Sequence, residues 1–337
     1  MRLASITYRN ESIVAARVDD EHLVDVEALQ RIATERQGVP RRGPLGDMPA
    51  VIAGGDALRD DLAAALELVR AEPAAAPRIP AADVAWRIPV RPGKICAVAM
   101  NNSASNERKI SAPDHPAFFL KPASCLVAHG EPIRIRTYYG SVHPEPELAA
   151  VIGKRARDVD ATHALDCVFG YTILDDVTGN GMRAEDRFHY YAVYASKTDP
   201  NVTERVEQHL SYAGRYKGSD TFGAIGPWIA TRDEIPDPDD LAVTCKVGDE
   251  TIASDSTRYY NFKVAEVLSF VSQFLTLEPG DVVSMGTAFK PGATRRSIHH
   301  ADLQRVAGPI TISIEGLGTQ VSPVVVEDRE IGRWRLR

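Results

Sequence analysis

The chain has 337 residues, 44% hydrophobic and 25% charged, a balance that fits a globular protein of one large domain or two ordinary ones. Its net charge of −7 comes without a basic block, which argues against a nucleic-acid partner, and no apolar run is long enough to span a bilayer. The first residues alternate and carry charge with no apolar signal core, and Cys96, Cys125, Cys167 and Cys245 form no CxxC pair. A cytoplasmic protein with free thiols is expected, rather than one with disulfides or zinc.

Residues 2–8 and 12–18 alternate like strands and read as a hairpin about Arg9, Asn10 and Glu11. Helical stretches are expected at 26–34 and 56–71, the second rich in Ala, Leu and Glu. The proline-rich run 72–80 reads as a linker that closes a small N-terminal α/β domain, residues 1–85. A second unit, residues 88–330, carries many short strand-like pieces punctuated by Pro and Gly, among them 95–100, 117–120, 148–152, 168–174, 228–231, 241–247, 282–285 and 310–314. One helix is expected at 263–275, with Val264, Val267, Leu268, Val271 and Leu275 on one side. Many strands and few helices predict an α+β fold, predominantly β, with a mixed, mostly antiparallel sandwich or roll.

The run from His143 to Lys154, HPEPELAAVIGK, carries the most chemistry. Glu145 and Glu147 stand two apart at the start of an apolar strand, so both point to one face. Two carboxylates in one small volume repel unless neutralised, and a hard cation with oxygen ligands does so. A third oxygen donor is available where the apolar run 171–174 ends in Asp175 and Asp176. Two glutamates and one aspartate thus read as a metal site; the competing reading is a solvated strand face.

At these residues the chain resembles the fumarylacetoacetate hydrolase family. Pro116 to Pro122 resembles its aromatic-x-Lys-Pro strand, and His143 to Ala149 its Glu-x-Glu-Leu-Ala motif. Gly170 to Thr178 resembles its Gly-Tyr-x-x-x-Asn-Asp-Val-Ser/Thr segment, with Asp175 where Asn is usual and Asp176 as the metal ligand. Lys217 to Phe222 with Gly226-Pro227 resembles Lys-x-x-Asp…Gly-Pro, and Leu277 to Thr287 resembles Pro-Gly-Asp-Val…Gly-Thr. The ordered set covers about residues 93 to 326. The resemblance implies a β-rich roll with a small N-terminal domain, usually a homodimer. It implies Mg2+, or alternatively Mn2+ or Ca2+, held by Glu145, Glu147 and Asp176, with no other cofactor, and a small carboxylic or diketo acid as substrate.

The implied activity is hydrolysis of a C–C bond in an acylpyruvate-like 1,3-diketo acid through a metal-stabilised enolate. The resemblance places Lys217 where a substrate carboxylate or enolate oxygen is neutralised, and Thr287 where substrate is hydrogen-bonded; surface lysine and turn residue are the plain alternatives. Departures from the family pattern point to a second reading. Ser105 stands where the hydrolases carry the histidine of a His–Glu general-base pair, and Arg108 where they carry its glutamate; Glu107 is one residue off and is the candidate base. A decarboxylase, isomerase or hydro-lyase acting on a 2-oxo acid or other enolisable substrate is therefore the alternative, and a binding protein without turnover a third. Asn180 replaces the family's usual Arg and Arg183 its usual Gln, so the remote end of the substrate is read differently. His115, His189, His299 and His300 are the candidate replacement bases, and each reads as a structural or surface residue; Arg295 and Arg296 are candidate anion receivers that read as part of a solvated charged loop. The insertion 182–215, with Tyr190, Tyr191, Tyr194 and Tyr212 and with Tyr216 just beyond, reads as a lid, a dimer contact, or both.

Overall fold

The computed structural model describes residues 1–102, 109–288 and 301–329. β1 (Arg2–Tyr8) and β2 (Glu11–Arg17) form the expected hairpin, and Arg9 and Asn10 take φ of 49° and 68° at its turn. Positive φ at both central residues gives the turn a twist that matches the flanking strands. β3 (His22–Asp25) leads into α1 (Val26–Gln37), where the Asp25 side chain accepts the Glu27 N–H at 2.9 Å. α2 (Met48–Ala53) and α3 (Gly55–Ala71) follow, and Leu58, Leu62, Leu66 and Val69 give α3 its buried face. The proline-rich run is anchored rather than free. β4 (Ile79–Pro80) pairs with β3, placing a buried Ile79 opposite Leu23, a long-range contact that a reading of local helix breakers does not see. β5 (Ala85–Trp86) then pairs with β1.

The remaining elements are β6 (Ile95–Ala99), β7 (Ala117–Lys121), β8 (Leu126–Val127), β9 (Ile133–Arg136), β10 (Val142–His143), β11 (Pro146–Ile152) and α4 (Ala161–Ala164). β12 (Val168–Asp175), β13 (Thr178–Gly179), α5 (Asn180–Glu185), β14 (Arg187–Ala195), β15 (Thr203–Ser211) and α6 (Gly214–Gly218) come next. β16 (Gly223–Thr231), β17 (Ala242–Val247), β18 (Glu250–Ser256), α7 (Val264–Phe274), β19 (Val282–Thr287), β20 (Ile310–Ile314), β21 (Gly318–Ser322) and β22 (Val324–Glu327) close the described chain.

The largest sheet is open and runs β4-β3-β2-β1-β16-β12-β11-β19-β6-β7. Its neighbours are antiparallel except β19 with β6. The N-terminal hairpin is part of it, because Leu3 of β1 pairs with Ile229 of β16. β11 sits in the middle and is buried on both faces. Ala149 and Val151 face the helical layer with Leu29, Leu62 and Leu66. Leu148 and Ala150 face the other way, toward α7 and the second sheet, β18-β17-β20-β21. α7 buries Val264, Val267, Leu268 and Val271, as its spacing requires. The result is an α+β molecule, predominantly β, with helices, sheet and a second sheet stacked in layers.

Part of the insertion stands apart. β14 and β15 pair over their whole length as a two-stranded ribbon, and Phe188, Tyr190, Tyr191, Val193 and Tyr194 are exposed on it. All four cysteines are free, and among the described residues no helix is long and apolar enough to cross a membrane.

Candidate functional site

Strand register brings the three acidic residues together. β11 and β12 are antiparallel with Pro146 opposite Asp175, and the Asp176 N–H donates to the Glu145 carbonyl at 3.0 Å. Glu145, Glu147 and Asp176 each offer a carboxylate oxygen, and these oxygens lie within 4.8 Å of one another. Glu147 and Asp176 are buried, and Glu145 is nearly so.

Lys217 is not a surface residue paired with Asp220. It is buried on α6, and its Nζ lies 2.8 Å from Glu145 Oε2, 2.5 Å from Asp176 Oδ2 and 3.1 Å from the Asp176 carbonyl. Burial alone would lower the ammonium's pKa; the charges of Asp176, Glu145 and Glu147 outweigh it and hold the group above an ordinary lysine. Thr287 ends β19 with its hydroxyl 3.4 Å from Glu147 Oε1, while Ser284 donates to Glu147 Oε2 at 2.5 Å. Gly286, at φ 87°, lets the strand turn there, where a Cβ would meet the Val98 carbonyl oxygen at 2.8 Å.

Two participants went unassigned in the sequence. Lys121, the lysine of the aromatic-x-Lys-Pro strand, is buried with Nζ 2.7 Å from Asp176 Oδ1. His143 opens the acidic motif, is fully buried, and places Nε2 3.0 Å from Glu145 Oε1. Motif membership was the signal for both; neither spacing nor hydropathy marks them. Glu107, Ser105, Arg108, Arg295, Arg296, His299 and His300 lie outside the described residues. His115 stacks on Phe270, with ring centroids 5.0 Å apart. His189 is on the exposed ribbon.

The electrostatics are uneven. Burial raises Glu145, but Lys217 and His143 outweigh it and hold the carboxyl well below the usual range. Glu147 goes the other way: burial first, then the charges of Asp176 and Glu145, push it well up. Burial likewise pushes Asp175 up to about 7, although its Oδ1 accepts the Glu145 N–H at 2.8 Å. The three carboxylates outnumber the two ammonium groups that touch them, and every donor they offer is oxygen. The cluster therefore fits a hard divalent cation.

The cluster forms the floor of a cavity of about 290 Å³. Met100, Asn102, Phe119, Thr178, Arg183 and Tyr216 line it with the acidic residues, Lys217 and Thr287. The Arg183 guanidinium lies over the Tyr216 ring at 5.9 Å from its centroid.

A β-rich layered fold with a buried carboxylate–lysine cluster in a small cavity defines an enzyme for small molecules. The chain belongs to the fumarylacetoacetate hydrolase family: the profile of the Fumarylacetoacetate (FAA) hydrolase C-terminal domain matches residues 94–325. It is 35% identical over 241 residues to an uncharacterized protein of Pyrococcus abyssi, covering 71% of this chain and 93% of that one. It is 32% identical over 251 residues to the mitochondrial oxaloacetate tautomerase FAHD2A of Bos taurus, covering 74% and 72%. Among solved structures, the maleylpyruvate hydrolase of Sphingobium sp. SYK-6, determined with manganese(II) and pyruvate, superposes with a TM-score of 0.67 at 26% identity, covering 97% of this chain and 100% of that one. The enzymes to which the chain is similar thus include a hydrolase and a tautomerase.

Proposed function

We propose that this chain is a divalent-metal-dependent enzyme that enolises a small 2-oxo acid carrying a second carboxylate, with isomerisation as the outcome. One observation carries the reading: a buried, protonated Lys217 is bonded to Glu145 and Asp176 beside Glu147, on the floor of a cavity whose wall holds the exposed Arg183. Glu145, Glu147 and Asp176 would hold the ion, proposed to be Mg2+ with Mn2+ or Ca2+ as substitutes; when bound it supplies Lewis-acid polarisation of a substrate oxygen.

The chain's own residues do the rest. Lys217 offers a fixed positive charge and a proton where negative charge develops on the carbonyl oxygen. In an isomerisation the proton lost from the carbon beside the carbonyl is balanced by one gained at oxygen or at another carbon, so no water enters. Thr287 and Asn102 narrow the cavity near the acidic cluster, and Arg183 receives the distal carboxylate. The size of the cavity suits a short dicarboxylate. The identity to an oxaloacetate tautomerase supports this outcome.

C–C hydrolysis of an acylpyruvate is the second reading, favoured by the likeness to maleylpyruvate hydrolase. It needs a base-activated water, and Ser105 stands where the family's hydrolases carry histidine. Incubation of acylpyruvates and oxaloacetate with the enzyme and Mg2+, with the enol followed by its ultraviolet absorbance and products identified by mass, separates the two. Interconversion at constant mass supports isomerisation; a mass gain of water followed by two acids supports hydrolysis. Arg183→Gln is expected to raise KM for dicarboxylates more than for monocarboxylates, and an equal effect on both would remove Arg183 from the reading.

A further inference from the structure

The ribbon β14–β15 carries chemistry that the acidic site does not use. In its register His189 lies directly opposite His209, and Glu207 lies opposite Tyr191, the next position on the same face. One ligand atom from each of His189, Glu207 and His209 falls within a sphere of mutual distances of 4.8 Å. The two imidazoles stack with centroids 4.0 Å apart and planes 18° from parallel. His189 Nε2 lies 2.5 Å from Glu207 Oε1. The side chains of His189 and Glu207 are more than half exposed, so an ion reaches them from solvent without any rearrangement of a core.

We propose that His189, Glu207 and His209 form a second metal site, for a borderline transition ion of the Zn2+ type. The ligand chemistry sets it apart from the acidic cluster. Two imidazole nitrogens and one carboxylate oxygen suit Zn2+, Ni2+ or Cu2+, whereas an all-oxygen set suits Mg2+ or Ca2+. Tetrahedral coordination at about 2.0–2.1 Å from nitrogen separates ligand atoms by a little over 3 Å. The His189–Glu207 contact opens slightly to admit the ion, and the other two pairs already lie within 4.8 Å. Three protein ligands leave the fourth position to water.

One group opposes binding. Arg187 Nη2 lies 3.0 Å from His209 Nδ1 and puts a positive charge beside the site. Its removal frees that nitrogen and the local field together.

The site has a structural consequence. An isolated two-stranded ribbon is marginal in water, and an ion across opposite residues ties its strands. His209 also lines a second cavity, of about 430 Å³, together with Asn180 and Arg183, so the tied end is the one nearest the acidic site.

The test is calorimetric titration of the full chain, stripped of metal, with Zn2+ in millimolar Mg2+, which competes at the acidic cluster. Wild type is expected to take up Zn2+ that excess Mg2+ does not displace. That uptake is lost in His189→Ala and in His209→Ala, weakened in Glu207→Gln and tightened in Arg187→Gln. Co2+ gives an independent reading: visible absorption bands of a four-coordinate ion appear in wild type and vanish in both histidine variants. Uptake and absorption unchanged in the histidine variants, or no Zn2+ uptake by wild type under Mg2+, overturns the proposal. All four substituted side chains are exposed, so the variants keep the fold.

Discussion

Asn180 Nδ2 lies 2.9 Å from Nδ1 of His143. An amide N–H donates, so this ring nitrogen accepts and the imidazole proton sits on Nε2, which faces Glu145 Oε1 at 3.0 Å. Thr178 donates to the same oxygen at 3.0 Å, and Lys217 holds the other. Glu145 is thus oriented from three sides. Asn180 sets the tautomer of the histidine behind a proposed metal ligand.

His143→Ala is therefore expected to weaken divalent-ion binding by roughly 10–100-fold, as loss of a residue that orients a ligand does. Asn180→Ala has a smaller effect, because the ring stays while its tautomer is released. Calorimetric titration with Mn2+ measures both. Unchanged affinity in the two variants refutes the orienting role.

Lys217→Met leaves Glu145 without an ammonium partner and Asp176 with Lys121 alone. In chelator the variant is expected to lose about 3–5 kcal/mol of stability, the usual cost of stranding one half of a buried ion pair. Saturating Mg2+ narrows the gap, because it supplies the missing charge, while turnover stays lost. Denaturant unfolding with and without Mg2+ checks this; a gap indifferent to the ion refutes the shared role of lysine and metal.

Asp175 lends itself to a pH experiment. Burial pushes its carboxyl up to about 7, while an unfolded aspartate titrates near ~3.9. Between these values the folded chain keeps a proton that the unfolded chain releases. The stabilisation is fully present below about 4 and is lost as pH rises through about 7. Asp175→Asn keeps an oxygen acceptor for the Glu145 N–H and has no charge to bury. In chelator its stability relative to wild type is expected to improve steadily from pH 4 to 7 and then level off. A difference that does not vary with pH excludes a buried carboxyl here.

Gly286→Ala forces a left-handed φ on a residue with a Cβ and drives that atom into the Val98 carbonyl oxygen. A loss of about 1–3 kcal/mol is expected, with a raised KM because Thr287 is the next residue. Urea unfolding and steady-state kinetics read the two effects. Wild-type behaviour in both shows that the strand end relaxes freely.

The carboxylates were legible because strand periodicity and motif spacing act locally: Glu145 and Glu147 share a face by geometry alone, and the family pattern distinguished Asp176 from Asp175. The α3 and α7 faces were legible for the same reason. Lys121 was not, since Asp176 lies 55 residues on, and His143 was not, since its role comes from complete burial, which spacing does not report. The ribbon escaped because its nine paired positions are almost all exposed and leave no buried face to make a hydrophobic pattern. Ile79 escaped because its partner, Leu23, is remote.

The order of strands has one more implication. The cavity floor draws on β11, β12 and β19, and β19 reaches it from more than a hundred residues downstream, with β6 parallel at its side. The three carboxylates are all in the chain by Asp176, but the Ser284 and Thr287 hydroxyls that hold Glu147 arrive only with β19. Capture of an ion thus needs only β11 paired with β12, whereas the grip on Glu147 comes with β19, so metal uptake in a refolding trace would mark the start of the sheet and a later gain in affinity its closing.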